Sequence, residues 1–146
     1  MKASGTCKPV KWDEKTLVEI SADVKTTRAS VTYAFSGGVE GKADAEMLMY
    51  YPHVDTADPH KSTARYAGLL QFTVTIDGRA GSFVAEERGR FEGGVAASTI
   101  TIMDGSGTGG LAGIRGSGRF HATKDQAMCE LEYELGSQAV SRGAPP

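Results

Sequence analysis

The chain has little of what usually marks a site. Of 146 residues only two are cysteine, Cys7 and Cys129, with no C-x-x-C pair. Nothing in that spacing calls for a metal frame or a disulfide, and both thiols are expected to be free. No G-x-S-x-G elbow occurs, and no Ser/His/Asp or Cys/His frame can be placed, so hydrolase chemistry has no support. No stretch approaches the roughly 20 apolar residues of a membrane helix. The opening residues, MKASGTCKPVKW, lack the apolar core of a signal peptide, so a cytoplasmic protein is expected. Net charge is −2 without an Arg/Lys run, and nucleic acid is not an expected partner.

What is present is an ordinary globular composition, 40% hydrophobic and 23% charged, in a length that suits one domain. The unusual load is glycine, 19 residues against five prolines. In a β protein such glycine goes into hairpins, bulges and barrel corners.

The hydrophobic pattern has period two almost throughout. Residues 83–120 read as strand, turn, strand, glycine-rich loop, strand. Gly93-Gly94 supplies the positive φ angles of a tight type I′ hairpin, and Asp77-Gly78 is a second such signal. Val31, Tyr33 and Phe35 share one face of a strand at 29–35; Leu70, Phe72, Val74 and Ile76 share one face at 66–76. At 128–135, Cys129, Leu131, Tyr133 and Leu135 are expected to face in and Glu130, Glu132 and Glu134 to face water. At 40–51, Met47, Met49 and Tyr51 share one face and Glu46, Leu48 and Tyr50 the other. A helix at 43–51 competes by propensity, but the Gly37-Gly38 turn favours a hairpin. The N-terminal segment is extended and broken at Pro9, with a strand end and turn at 11–15. Leu17, Val18 and Ile20 fit either a continuing strand or a short helix. About eight strands and almost no helix leave a sandwich or a closed barrel. Strands apolar on both faces favour the barrel, and we expect an all-β, single antiparallel barrel over residues 1–135 with a disordered tail at 136–146.

Gly105-Ser-Gly107-Thr-Gly109-Gly110 formally matches G-x-G-x-x-G. A nucleotide site needs a helix to open at its end, and Leu-Ala-Gly-Ile-Arg-Gly-Ser-Gly follows instead, so a wide turn is the better reading. His53, Asp55, Asp58 and His60 crowd a proline-bearing loop but match no ligand frame; a solvated loop is expected and no metal. No cofactor is expected.

Three glutamates, Glu46, Glu86 and Glu87, fall inside predicted strands. Glu86 alternates with Val84 and Arg88, and Glu87 with Phe83 and Ala85. A carboxylate inside an apolar barrel has its pKa raised and can act as acid, base or charge stabiliser; the bland alternative is surface pairing with Arg88 and Arg90. We take Glu46 and Glu86 as the candidate catalytic residues, with Trp12, Tyr50, Tyr66 and Gln71 as candidate ligand contacts. Met47, Met49 and Ile102 are expected to supply an exterior apolar face for self-association.

The stretch GSFVAEERGRFEGGVAASTITIMDGSGTGGLAGIRGSGRF, from Gly81, resembles a family of small bacterial proteins of unknown function grouped with allene-oxide-cyclase-like β-barrels. KWDE at 11–14, TRASVTYAFSGGVEG at 27–41 and EMLMYY at 46–51 extend the resemblance to about residue 135. It departs from that pattern at Leu70 and Glu86-Glu87, and in a longer loop at 52–63. The resemblance implies an eight-stranded barrel with an apolar interior and no assigned reaction. Plant allene oxide cyclases hold an unstable fatty-acid epoxide in such a barrel and steer its ring closure. Three readings follow: a barrel that binds a hydrophobic small molecule and cyclises or isomerises it without a cofactor, a carrier that returns it unaltered, and a structural or interaction protein whose barrel is filled by its own side chains.

Overall fold

The structure is a computed structural model that describes residues 1–58 and 61–136. The described residues form nine strands: β1 Lys2–Ser21, β2 Val24–Gly37, β3 Val39–His53, β4 Thr63–Ile76, β5 Arg79–Glu92, β6 Val95–Ile102, β7 Thr108–Gly109, β8 Ile114–Ala122 and β9 Ala127–Leu135. Every pairing is antiparallel. The order β4-β3-β2-β1-β9-β8-β6-β5 returns to β4 through a β4–β5 ladder, so eight strands form a closed ring. Two-residue β7 lies outside the ring, paired with Gly81 and Ser82 of β5. The ring is sealed where the chain begins and ends: the Met1 amino group donates to the Tyr133 carbonyl and the Tyr133 N–H to the Met1 carbonyl, both at 2.8 Å. No helix among the described residues is long and apolar enough to cross a membrane.

Closure converts sequence parity into inside and outside. Odd positions of β2, β3, β5 and β9 and even positions of β4, β6 and β8 point inward, which places Val31, Ala45, Phe72, Phe83, Ile100, Ile114 and Leu131 in the core. The two expected I′ turns form, with Asp77 and Gly78 at φ 51° and 78° and Gly93 and Gly94 at 62° and 79°. Residues 43–51 are strand, held on both sides by β2 and β4.

The N-terminal segment corrects the expectation of a break at Pro9 and a turn at 11–15. β1 runs unbroken to Ser21 because it has left β9 after Thr6, and a bulge at Val10 absorbs the proline without a ladder bond on that side. The bulge also switches parity, so Trp12, Glu14 and Thr16 take over the inward side. The expected exterior patch is corrected too. Met47, Met49 and Ile102 are only 3%, 7% and 3% exposed and face inward, while Leu48, Tyr50 and Leu69 occupy the outside. Charge is less evenly spread than the linear sequence suggests. Arg65 lies directly opposite Arg90 on neighbouring strands, and both line one outer groove with Arg88 and Arg119.

One end of the ring is shut by the glycine-rich loop at 103–113. Leu111 is fully buried beneath it. A Cβ at Gly107 would lie 2.1 Å from the Leu111 carbonyl oxygen, and one at Gly81 2.1 Å from that of Thr108, so only glycine lets the loop fold down on β5. The loop is therefore a cap, not a phosphate cradle. The polar tail expected at 136–146 lies outside the described residues after Gly136.

If Leu111 is the plug, Leu111→Ala should cost about 2–5 kcal/mol by the cavity it leaves, read as a lowered denaturant midpoint. A loss under about 0.5 kcal/mol, the scale of a neutral surface change, would mean that the cap lies outside the cooperative core.

Candidate functional site

The aromatic side chains divide the barrel. Phe83 and Phe72 stack at 4.6 Å between centroids, Phe72 and Phe35 at 5.5 Å, Phe35 and Phe120 at 6.1 Å, and Phe120 and Tyr33 at 6.0 Å. Below this stack, towards the cap, the interior is packed. Above it is a cavity of about 770 Å³. Its walls come from the upper parts of β1, β2, β3, β4, β5, β6 and β8, and its mouth from Val54, Asp55, Thr56, Ser62 and the start of β9. The volume lies within the range of small-molecule sites, about 300–1,000 Å³.

Glu87 stands in the wall of this cavity. It is 5% exposed, and β5 puts it on the inward side in series with Phe83 and Ala85. Oε2 accepts a 2.6 Å hydrogen bond from the Ser98 hydroxyl. Oε1 is buried with no hydrogen-bond partner among the described residues. Burial pushes the carboxyl above the ordinary carboxylate range, and the Ser98 hydroxyl draws it part of the way back. The charge of Glu87 is felt around the cavity. Burial first and the Glu87 charge second lift the Tyr66 hydroxyl to about 12 and the Cys7 thiol to about 11, and raise Tyr33 as well. Tyr33 and Tyr66 therefore stay protonated at neutral pH, as hydroxyls able to donate or accept.

Gly89 makes this cluster possible. It lies between Tyr66 of β4 and Ser98 of β6 in register, and a Cβ there would come within 2.7 Å of the Tyr66 ring and 2.5 Å of the Ser98 Cβ. The bare backbone lets the tyrosine ring lie against the sheet and brings Ser98 within reach of Glu87.

A second carboxylate sits nearer the mouth. Glu14 Oε2 accepts from the Thr27 hydroxyl at 2.6 Å and the Tyr51 hydroxyl at 2.5 Å, and Oε1 accepts from the Trp12 indole N–H at 3.0 Å. Three donors thus converge on one carboxylate. The Lys25 ammonium stands 5.4 Å from the centroid of the Tyr51 ring.

Of the six sequence-derived candidates, the fold brings two to the cavity, Tyr66 on the wall and Trp12 at the half-open rim. Glu46, Glu86, Tyr50 and Gln71 are exposed on the outside of the ring. For Glu46 and Glu86 this corrects the expected cavity placement. Glu46 lies on the even side of β3 and is held by Arg28 at 3.0 Å and the Ser30 hydroxyl at 2.9 Å. Those partners keep its carboxyl below the ordinary range, the opposite of an acid poised to give a proton. Glu87 rather than Glu86 is the buried carboxylate, and the signal was in the sequence: Glu87 alternates with Phe83 and Ala85, Glu86 with Arg88. Glu14 went unnoticed because the bulge at Val10, which reverses parity along β1, has no clear sequence mark. Cys7 and Cys129 are free thiols. The described residues contain no group of three or more His, Cys, Asp and Glu able to hold a metal, and His60 lies outside them.

Folding raises the proton affinity of Glu87, so the sign of its pH effect is the reverse of a salt-bridged acid. Its ionisation costs nothing below the ordinary glutamate range, and the cost grows as pH rises through the raised value. Glu87→Gln cannot ionise. Its stability relative to wild type should therefore increase as pH rises above the ordinary glutamate range. Denaturant titrations at several pH values measure it, and a difference independent of pH would contradict the burial argument.

A solved structure from Shewanella oneidensis MR-1, a protein with unknown function from the DUF3224 family, has the same fold. It aligns over 93% of this chain and 98% of its own with a TM-score of 0.66 at 23% identity. A comparison with curated proteins finds no match. Residues 3–135 match the family described as protein of unknown function (DUF3224), and the chain belongs to that family.

Proposed function

We propose that this barrel binds an apolar small molecule in the open half of its interior. The supporting observation is the cavity of about 770 Å³ with a buried carboxylate oxygen, Glu87 Oε1, left without a donor. A barrel that existed only as a structural unit would be filled by its own side chains on both sides of the aromatic stack, as this one is filled on the capped side. Empty apolar volume costs stability, and a buried acceptor without a partner costs about 1–3 kcal/mol more. A ligand that fills the space and donates to Glu87 offsets both. In this reading Met47, Met49 and Phe91 contact the apolar body, and Tyr33, Tyr66 and Glu87 orient its polar end.

A second reading, cofactor-independent isomerisation or ring closure of the kind the barrel resemblance implies, is favoured by the raised proton affinity of Glu87. A carboxyl whose proton affinity is raised by burial can give a proton to one atom of a substrate and recover one from another, with no net change in composition. The site of that chemistry would be Glu87, not Glu46 or Glu86.

Nile red, a neutral apolar fluorophore, tests the binding reading. It should bind wild type with a blue-shifted emission. Ala96→Trp, which places an indole in the cavity wall, should weaken it about tenfold, ~1.4 kcal/mol, and the exterior change Glu46→Gln should leave it unaltered. Equal binding by wild type and Ala96→Trp would place the dye elsewhere and count against the cavity.

A further inference from the structure

Resting on the reading that the cavity takes a small molecule, we propose that its ligand is a hydrophobic amine, bound with its ammonium group against Glu87. Glu87 is the most buried carboxyl lining the cavity, and among the described residues no cation is paired with it. Burial and the single Ser98 hydroxyl are what act on its carboxyl. Oε1 lacks a donor. An ammonium carries up to three donors and the opposite charge, so it satisfies the orphaned oxygen and neutralises the buried carboxylate together.

The rest of the cavity has the same sign. Among the described residues its charged lining comprises three carboxylates, Glu14, Asp55 and Glu87, against one lysine, Lys25. Glu14 has its oxygens taken by Thr27, Tyr51 and Trp12, so it contributes negative potential without needing a ligand contact. Asp55 is kept below the ordinary range by the backbone N–H groups of Asp58 and Ala57, and so remains charged at the mouth. A carboxylate or phosphate headgroup would enter a field of its own sign within low-dielectric walls; an ammonium would be drawn in. The rings of Trp12, Tyr33, Tyr51, Tyr66, Phe91 and Phe120 surround the path, and the chain already shows how such a ring receives an ammonium, in Lys25 over Tyr51.

Three ligands of one body and different charge test this: 1-naphthylmethylamine, 1-naphthylmethanol and 1-naphthoic acid, titrated calorimetrically into the full chain at pH 7.5. The amine should bind at least tenfold more tightly than the alcohol, and the acid most weakly. Glu87→Gln should bring the amine down to the alcohol's affinity. An alcohol or acid that binds wild type as tightly as the amine overturns the amine assignment and leaves the cavity reading standing. If none of the three binds while Nile red does, the amine assignment alone falls. If Nile red also fails, both fall. The wild-type ranking decides even if the variant does not fold.

Discussion

Everything in this protein depends on ring closure. Eight antiparallel strands alternate in hydropathy, and only when β1 meets β9 and β4 meets β5 does alternation become a distinction between interior and solvent. Without closure, Glu87 and Glu86 would be two neighbouring acids on a strand. With it, one is buried in a cavity wall and the other lies in water, a difference made by one position of parity.

The interior is divided. Towards the Leu111 cap, phenylalanines on β2, β4, β5 and β8 stack across the barrel and fill it. Towards Val54, Asp55 and Ser62, the wall includes small residues such as Ala64 and Ala96, and space remains. The filled half supplies the packing of the core; the hollow half presents two carboxylates in different surroundings. Glu14 is saturated with donors, and Glu87 is nearly alone. A pair of acids whose surroundings differ this much has a division of roles built in, one fixing a field and the other left to meet a partner.

Strand positions and turns were legible in the sequence because each rests on local chemistry. Val31, Tyr33 and Phe35 alternate whatever the rest of the chain does, and Asp77-Gly78 and Gly93-Gly94 accept positive φ on their own account. The candidate site was less legible. Choosing Glu86 rather than Glu87 amounts to choosing the wrong face of β5; for Glu46, β3 gives weak guidance because Leu48 and Tyr50 on its outer side are as apolar as Met47 and Met49 within. Glu14 was hidden by a bulge, since one extra residue at Val10 inverts the side chains that follow it up to Thr16 and leaves no composition signal. The arginine groove was equally hidden: Arg65 is remote from Arg90 in the chain and opposite it in the sheet.

The sequence alone determined the all-β class, the hairpins and the two-faced strands, because backbone conformation and alternation depend on near neighbours. The tertiary structure decided which face was inner, how far the aromatic stack reached, and that a carboxylate would be left with an unpartnered oxygen beside a cavity. Those properties arise from register between strands distant in sequence and from the volume enclosed when they close, and no local stretch carries that information.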